Sequence, residues 1–267
     1  MQRQPAVAGQ FYPGDAGQLR AEVSELIQQR INKRTVKGII SPHAGYIYSG
    51  AIAGKVYSQI EIPATVLIIG PNHHGAGAAV ALSPDGEWLT PLGPVAIDSH
   101  FNQLLLKHVP FIQSDSSAHQ HEHSLEVQIP FLQYLRPDVT ISALCMGHGD
   151  FSVIARIASG IAAAIRENGG DVLIVASSDM THYESAAAAQ LKDEAALERV
   201  LALDAAGLLE TCRSNRITMC GVVPAAVMLA GCLGLGATKA ELVAYGTSGD
   251  VTGDNRQVVG YAAAMVY

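Results

Sequence analysis

Ile68-Ile69-Gly70-Pro71-Asn72-His73-His74-Gly75 is the stretch on which the reading of this sequence turns. A β-branched, apolar run over 65–69 stops at Gly-Pro, and two adjacent histidines follow. That punctuation reads as a buried strand feeding a loop. In open α/β sheets ligands sit past the carboxyl ends of strands, so these imidazoles are placed for chemistry. The same grammar recurs twice. The run 36–40 leads into Ser41-Pro42-His43-Ala44-Gly45-Tyr46, and 171–176 leads into Ser177-Ser178-Asp179-Met180-Thr181-His182-Tyr183. Three strands ending in three histidine loops predict an α/β fold with its chemistry at one rim.

Outward from these strands, helical spacing alternates with short β-like runs. Asp15 is expected to cap a helix through about residue 32, with Leu19, Val23, Leu26 and Ile27 on one face. Ser49 is expected to cap a second helix, through Ile60. From 78 to 98, short apolar runs separated by Pro84-Asp85-Gly86 and Pro91-Leu92-Gly93 predict a β-meander. Ser99 is expected to cap a helix over 101–108, and Ser124 another that Pro130 bends. A strand over 139–146, a helix over 151–166 and a helical stretch over 185–212, broken near Leu203-Asp204, follow. Met219-Cys220-Gly221 forms a joint before a helix over 222–233, and strands over 241–245 and 257–266 finish the chain. The expected architecture is a single domain over 1–267, with a central mixed β-sheet and helices on both faces.

Composition narrows the function. At 49% hydrophobic and 15% charged residues, the 267-residue chain has the material for a large core and not the signature of disorder. A net charge of −7 without a basic cluster argues against nucleic acid. No apolar run reaches the roughly 18 residues of a membrane span, and the N-terminus lacks a signal peptide's apolar segment. The four cysteines, Cys145, Cys212, Cys220 and Cys232, have neither C-x-x-C spacing nor the density of a disulfide scaffold. The expectation is a cytoplasmic protein, with no membrane or nucleic-acid partner, acting on a small molecule or peptide.

Among ten histidines, His100, His108, His119 and His148 sit where surface or loop hydrogen bonds explain them. His43 and His73 differ, because each follows an apolar strand and is bracketed by Pro and Gly. Neutral imidazole is the commonest protein metal ligand, and a pair at neighbouring strand ends favours a shared ion. His74 competes with His73 for that role. Candidates for a third ligand are Cys220, Asp179, Glu122, Glu126 and His123. Cys220 lies at a joint before a helix, which favours a thiolate, but from the residues alone a small buried hydrophobe explains it better. Asp179 and His182 share a loop and suggest a carboxylate orienting an imidazole acid/base. His121-Glu122-His123 is not H-E-x-x-H, which disfavours a zincin. Glu126 shares a helical face with His123 and suggests a pocket wall. Tyr46, Tyr48, Tyr183 and Trp88 are candidates for an aromatic platform by loop position alone.

Six motifs occur in order: 5–13 (PAVAGQFYP), 41–50 (SPHAGYIYSG), 70–75 (GPNHHG), 122–128 (EHSLEVQ), 177–183 (SSDMTHY) and 220–224 (CGVVP). Together they resemble the Memo family, whose prokaryotic members are called AmmeMemoRadiSam system protein B. The resemblance runs from about residue 3 to the C-terminus. It implies a fold similar to class III extradiol dioxygenases, non-haem iron enzymes, with a cysteine in place of the ligand glutamate. Carried over motif by motif, it implies His43, His73 and Cys220 as metal ligands, with His182 as the acid/base and Asp179 beside it. His74, His123, Glu126 and Tyr46 are then expected to meet substrate or support the ligands from behind. The implied cofactor is a divalent or redox-active ion, Fe(II) first, with Cu or Zn as alternatives. The implied activity is that of a metal-dependent oxidoreductase. A peptide- or protein-binding adaptor and a zinc-dependent hydrolase are the other two readings. The family name also implies AMMECR-like and radical SAM companion proteins.

Overall fold

The computed structural model describes residues 1–27, 33–109, 111–147, 149 and 151–267. The end of the first expected helix, from 28 to 32, and His148 lie outside the described residues. In chain order the elements are β1 (Gln2–Arg3), α1 (Ala16–Leu26), β2 (Gly38–Ser41), α2 (Tyr46–Tyr57), β3 (Thr65–Pro71), β4 (Val80–Leu82), β5 (Glu87–Thr90) and β6 (Gly93–Ile97). There follow α3 (Ser99–His108), β7 (Gln113–Ser114), α4 (Ile129–Leu135), β8 (Thr140–Met146), α5 (Phe151–Glu167), β9 (Val172–Ser177) and β10 (His182–Glu184). The chain ends with α6 (Ala186–Leu201), α7 (Ala205–Ser214), α8 (Val222–Gly234), β11 (Ala240–Thr247), α9 (Gly249–Thr252) and β12 (Val258–Val266).

The strands form one mixed sheet in the order β1-β5-β6-β8-β3-β9-β2-β12-β10, with β11 on β12 and β4 on β8. Its centre is parallel: β3 lies between β8 and β9, and β2 adds to β9. All seven residues of β3 are buried, which accounts for the unbroken apolar run that opened the reading. Alternate side chains serve opposite faces. Val66 and Ile68 join the core under α1, α2 and α4, whereas Leu67 and Ile69 join the core under α3, α5 and α8. Each such buried side chain stabilises the fold by roughly 1.5–3 kcal/mol. The parallel strands therefore all run to one rim, where their loops meet. No described helix is long and apolar enough to cross a membrane.

Several local expectations shift. The second helix starts at Tyr46, not Ser49, because Gly45 already sits at its N-cap. Asp98, not Ser99, caps α3, its carboxylate accepting from Phe101 N–H at 2.9 Å. Pro130 does not bend α4. It lies in the first turn, where no helical N–H is required. The break at Leu203-Asp204 stands: Leu203 has φ +55°, and Asp204 caps α7 through Gly207 N–H.

Candidate functional site

Two close approaches bring the loops together. Gly221 lies against the end of β9, where an added Cβ would collide with the Ser177 carbonyl and the Ser178 side chain. Gly70 lies against the 122–128 segment, where a Cβ would sit 2.7 Å from Ser124 Oγ and 2.8 Å from Leu125 Cδ1. The first approach delivers Cys220 to His43 across 177 residues of chain, with the sulfur 3.1 Å from His43 Nε2. The second delivers Glu122 and His123 to His73. His73 and His123 stack with ring centroids 4.7 Å apart, and His43 stands edge-on to both at 5.3 and 5.5 Å. One ring nitrogen from each of His43, His73 and His123 lies within 4.8 Å of the others.

The hydrogen bonds fix the tautomers. Ser177 Oγ donates its one proton to the Ser124 carbonyl at 2.6 Å and accepts from Gln128 Nε2 at 2.9 Å. At its 2.9 Å contact with His43 Nδ1 it can therefore only accept, so Nδ1 carries the hydrogen and Nε2 is a bare lone pair. Glu122 does the same for His73. Its carboxylate accepts from Nδ1 at 2.9 Å, from the His73 backbone N–H at 2.7 Å and from Ser124 N–H at 2.9 Å. Nε2 is then the ring nitrogen of His73 left for a ligand. Fixing the far nitrogen to expose the near one is how proteins prepare an imidazole for a metal.

Charge agrees with this arrangement. Burial holds His43 well below the ordinary imidazole value, and burial lowers His123 to about 4, so both are neutral ligands at pH 7. Burial would raise Glu122, but the His73 hydrogen bond and those backbone N–H groups take it well below the carboxylate range. Burial pushes the Cys220 thiol well up. A thiolate there needs a cation beside it, and coordination to a metal supplies one. The 3.1 Å between Sγ and Nε2 suits two donors on one ion at about 2.3 and 2.1 Å. The donor set therefore fits a metal. The histidine nitrogens would draw in by about an ångström to share it.

Of the residues singled out from sequence, His43, His73 and His123 form one group, and Cys220 meets it at His43, with Asp179 beside the thiol. The expected Asp179–His182 pair is not formed. Asp179 Oδ1 accepts from the His43 backbone N–H at 2.7 Å, while His182 Nδ1 donates to the Thr218 carbonyl at 3.0 Å. Burial raises Asp179 to about 6 against the pull of the His43 and Ala44 N–H groups. His73 and His74 are both exposed, but the His74 ring lies 6.4 Å from that of His121, and it is His73 whose ring nitrogen belongs to the group of three. Glu126 does not wall the pocket. Its carboxylate is taken by Arg3 at 2.7 Å, Tyr12 OH at 2.6 Å and the backbone N–H groups of Ala6 and Val7. Tyr46 is no platform either: it is buried on Phe131 and donates to the Val127 carbonyl. Trp88 is buried beneath the Arg3 guanidinium. Sequence reasoning missed Ser177 and Gln128 as supports. Glu122, weighed as a ligand, proves to orient one. Their only signal was that small and polar residues interrupt apolar motifs.

A cavity of about 550 Å³ opens on this group, with His73 and Cys220 in its wall. A cavity of about 620 Å³ lies around Lys37, Arg136 and Arg166, at the amino ends of the strands. The carboxyl-end cavity is where such sheets bind ligands, and of these two it is the one lined by His73 and Cys220.

A family profile described as Memo-like protein matches residues 3–265. A MEMO1 family protein of Methanopyrus kandleri is 42% identical over 279 residues, covering 99% of each chain. One from Methanothermobacter thermautotrophicus is 39% identical over 274 residues, covering 98% of this chain and 99% of its own. The crystal structure of an uncharacterized protein from Escherichia coli K12 superposes with a TM-score of 0.54 over 86% of this chain and 99% of that one. At 11% identity the likeness speaks for the fold alone.

Proposed function

The chain belongs to the Memo-like family, and from that premise we propose that it is a metal-dependent oxidoreductase on a dioxygenase-like sheet. Its ion would be held by His43, His73 and Cys220, with His123 beside them. The observation that supports this reading is that Nδ1 of His43 and of His73 is committed to Ser177 and Glu122, which leaves the Nε2 atoms for an ion, in a group of three histidines that the Cys220 thiol meets at His43. Iron or copper bound there would supply one-electron chemistry, with O₂ as the oxidant. The chain's own residues do the rest. Ser177 and Glu122 hold the imidazoles in register. Asp179 fixes the turn that carries His43. His182, its Nδ1 committed to the Thr218 carbonyl, is left with Nε2 to take up and return a proton.

The test is metal analysis of protein purified without oxygen or chelator. The expected result is about one iron or copper per chain, lost in Cys220→Ala and in His73→Ala and kept in His182→Ala. Stoichiometric zinc with no redox response would point to hydrolysis instead. A chain that takes up none of the three metals would overturn both readings and leave a non-enzymatic adaptor.

A further inference from the structure

His182 is held from two directions, and both holds lead back to α6. Its backbone N–H donates to Thr218 Oγ1 at 2.8 Å, and its Nδ1 donates to the Thr218 carbonyl at 3.0 Å. The residue before it, Thr181, is tied to β12. Gly260 N–H donates to the Thr181 carbonyl, and the Gly260 carbonyl accepts from Met180 N–H, both at 2.8 Å. Asp193 of α6 is fully buried against this tie. Its Oδ1 accepts from Thr181 N–H at 2.9 Å, and its Oδ2 accepts from the Tyr245 hydroxyl of β11 at 2.8 Å. Gly260 leaves room for the carboxylate, since a Cβ there would collide with Asp193 Oδ2. The preceding residue of the helix, Lys192, donates to the Glu184 carboxylate on the far side of His182. It also donates to the Arg216 carbonyl, just before Thr218, at 3.2 Å. A buried carboxylate is costly unless donors meet it, and the main-chain donor that meets Asp193 belongs to the neighbour of His182.

Resting on the reading of His182 as the acid/base, we propose that Asp193 is its positioning residue. With Lys192 it clamps the 181–184 strand and the 216–218 segment in the register that puts Nδ1 on the Thr218 carbonyl and leaves Nε2 free to exchange a proton. Asp193 itself touches neither the metal group nor the reacting atoms. Without its carboxylate the buried Thr181 N–H has no acceptor, and such a donor turns until it finds one. The tie to Gly260 then loosens and His182 leaves Thr218, so that either ring nitrogen can carry the hydrogen. The tautomer of an imidazole follows the hydrogen bond its other nitrogen makes, and the ring of His182 therefore reports the clamp.

The test is the nitrogen NMR spectrum of the His182 ring in metal-free protein at about pH 8.5, about two units above the midpoint of a free imidazole. The signal is assigned by its loss in His182→Gln. The Nδ1–H form is expected to exceed the Nε2–H form by about tenfold. In Asp193→Ala the two forms come within about twofold of each other. Asp193→Asn, whose carboxamide oxygen still accepts from Thr181 N–H, restores the wild-type ratio. Lys192→Met, at the partly exposed arm of the clamp, lowers the ratio by about twofold to threefold. An unmoved ratio in folded Asp193→Ala would overturn the proposal. A ratio lost in Asp193→Ala and not restored by Asp193→Asn would also overturn it, because charge and not the hydrogen bond would then be at work. Where Asp193→Ala does not fold, Lys192→Met decides, and an unmoved ratio there would overturn the clamp. The signal needs neither a bound metal nor turnover, so failure of the metal site or of the acid/base reading shows separately, in metal uptake and in activity.

Discussion

The two banks of the site hold their histidines by opposite means. On one bank, His43 follows β2 and Cys220 meets it from the joint before α8. Its imidazole is held by a neutral hydroxyl, Ser177 Oγ, at the end of β9. Of these, Ser177 is paired in the parallel centre of the sheet and His43 follows a strand paired there, while Ser177 Oγ also bonds Ser124 and Gln128. On the other bank, His73 follows β3 and is held by a buried carboxylate, Glu122, on a segment outside the sheet. That segment is secured by the N-terminal arm. Arg3 donates to the Glu122 and His119 carbonyls, and Glu126 grips Arg3, Tyr12 and the arm's backbone. The contrast teaches that the support of one ligand stands on a paired strand, whereas the support of the other stands on a segment secured by a buried ion pair more than 100 residues apart in sequence. The second should be the stronger donor, since a carboxylate behind an imidazole raises its basicity, and also the easier to unseat.

The largest expected effect unseats it. In Glu126→Ala, the Arg3 guanidinium stays buried without its carboxylate, and Tyr12 OH and the N–H groups of Ala6 and Val7 lose their acceptor. Removing one partner of such a buried pair costs about 3–5 kcal/mol. Urea unfolding measures that loss, and limited proteolysis should find the first dozen residues newly cleavable. A loss below about 1 kcal/mol would mean that the arm does not secure the second bank.

Next in size is the difference between the two supports. Glu122→Gln keeps the shape but removes the charge behind His73, and metal affinity should fall toward 100-fold. Ser177→Ala removes a neutral acceptor behind His43, and the fall should stay near tenfold, because charge-assisted hydrogen bonds are about twice as strong. Competition with a chromogenic chelator reads both. Equal losses would abolish the distinction drawn between the banks.

The legibility of the two banks in sequence was just as uneven. The strand-to-loop punctuation at His43, His73 and Asp179 could be read directly, because β-branched runs and Gly-Pro breaks are local signals. The mixed sheet and the break between α6 and α7 followed from the same local grammar. Cys220 read from its own surroundings as a small buried hydrophobe, and only the resemblance reversed that, since the histidine it meets lies 177 residues away. Side-chain direction was not legible at all. Tyr46 and Glu126 sit in motifs beside the histidines yet turn into the core and the arm, because a helix start can aim either way until its packing partners are known. The Asp179–His182 pair failed for the same reason. Backbone N–H groups of the neighbouring loop reached the carboxylate first, and a nearby carbonyl took the imidazole.

The banks also differ in how they turn. Both pass through left-handed backbone. The second uses Gly75 at φ +62° and Gly77 at φ +73°, while the first uses Tyr183 at φ +60°. Tyr183 is the unpaired residue where β10 slips register against β12, between the His182–Val259 and Glu184–Val258 pairs. A bulge of that kind is ordinarily made by glycine. A tyrosine there bears about 1–2 kcal/mol of strain, while its ring, 73% exposed, buries little in return. Tyr183→Gly releases the strain and loses about 0.5–1 kcal/mol to unfolded-chain entropy, so a net gain of about 0.5–1 kcal/mol is expected in urea unfolding. Gly75→Ala on the other bank is the mirror experiment. No atom lies within 4 Å of the added Cβ, so its cost, about 1 kcal/mol, reads the left-handed backbone alone. If Tyr183→Gly proved neutral or destabilising while Gly75→Ala cost what is expected, the tyrosine ring would be repaying its strain within the folded chain. The first bank would then be held by more than its strands and Ser177.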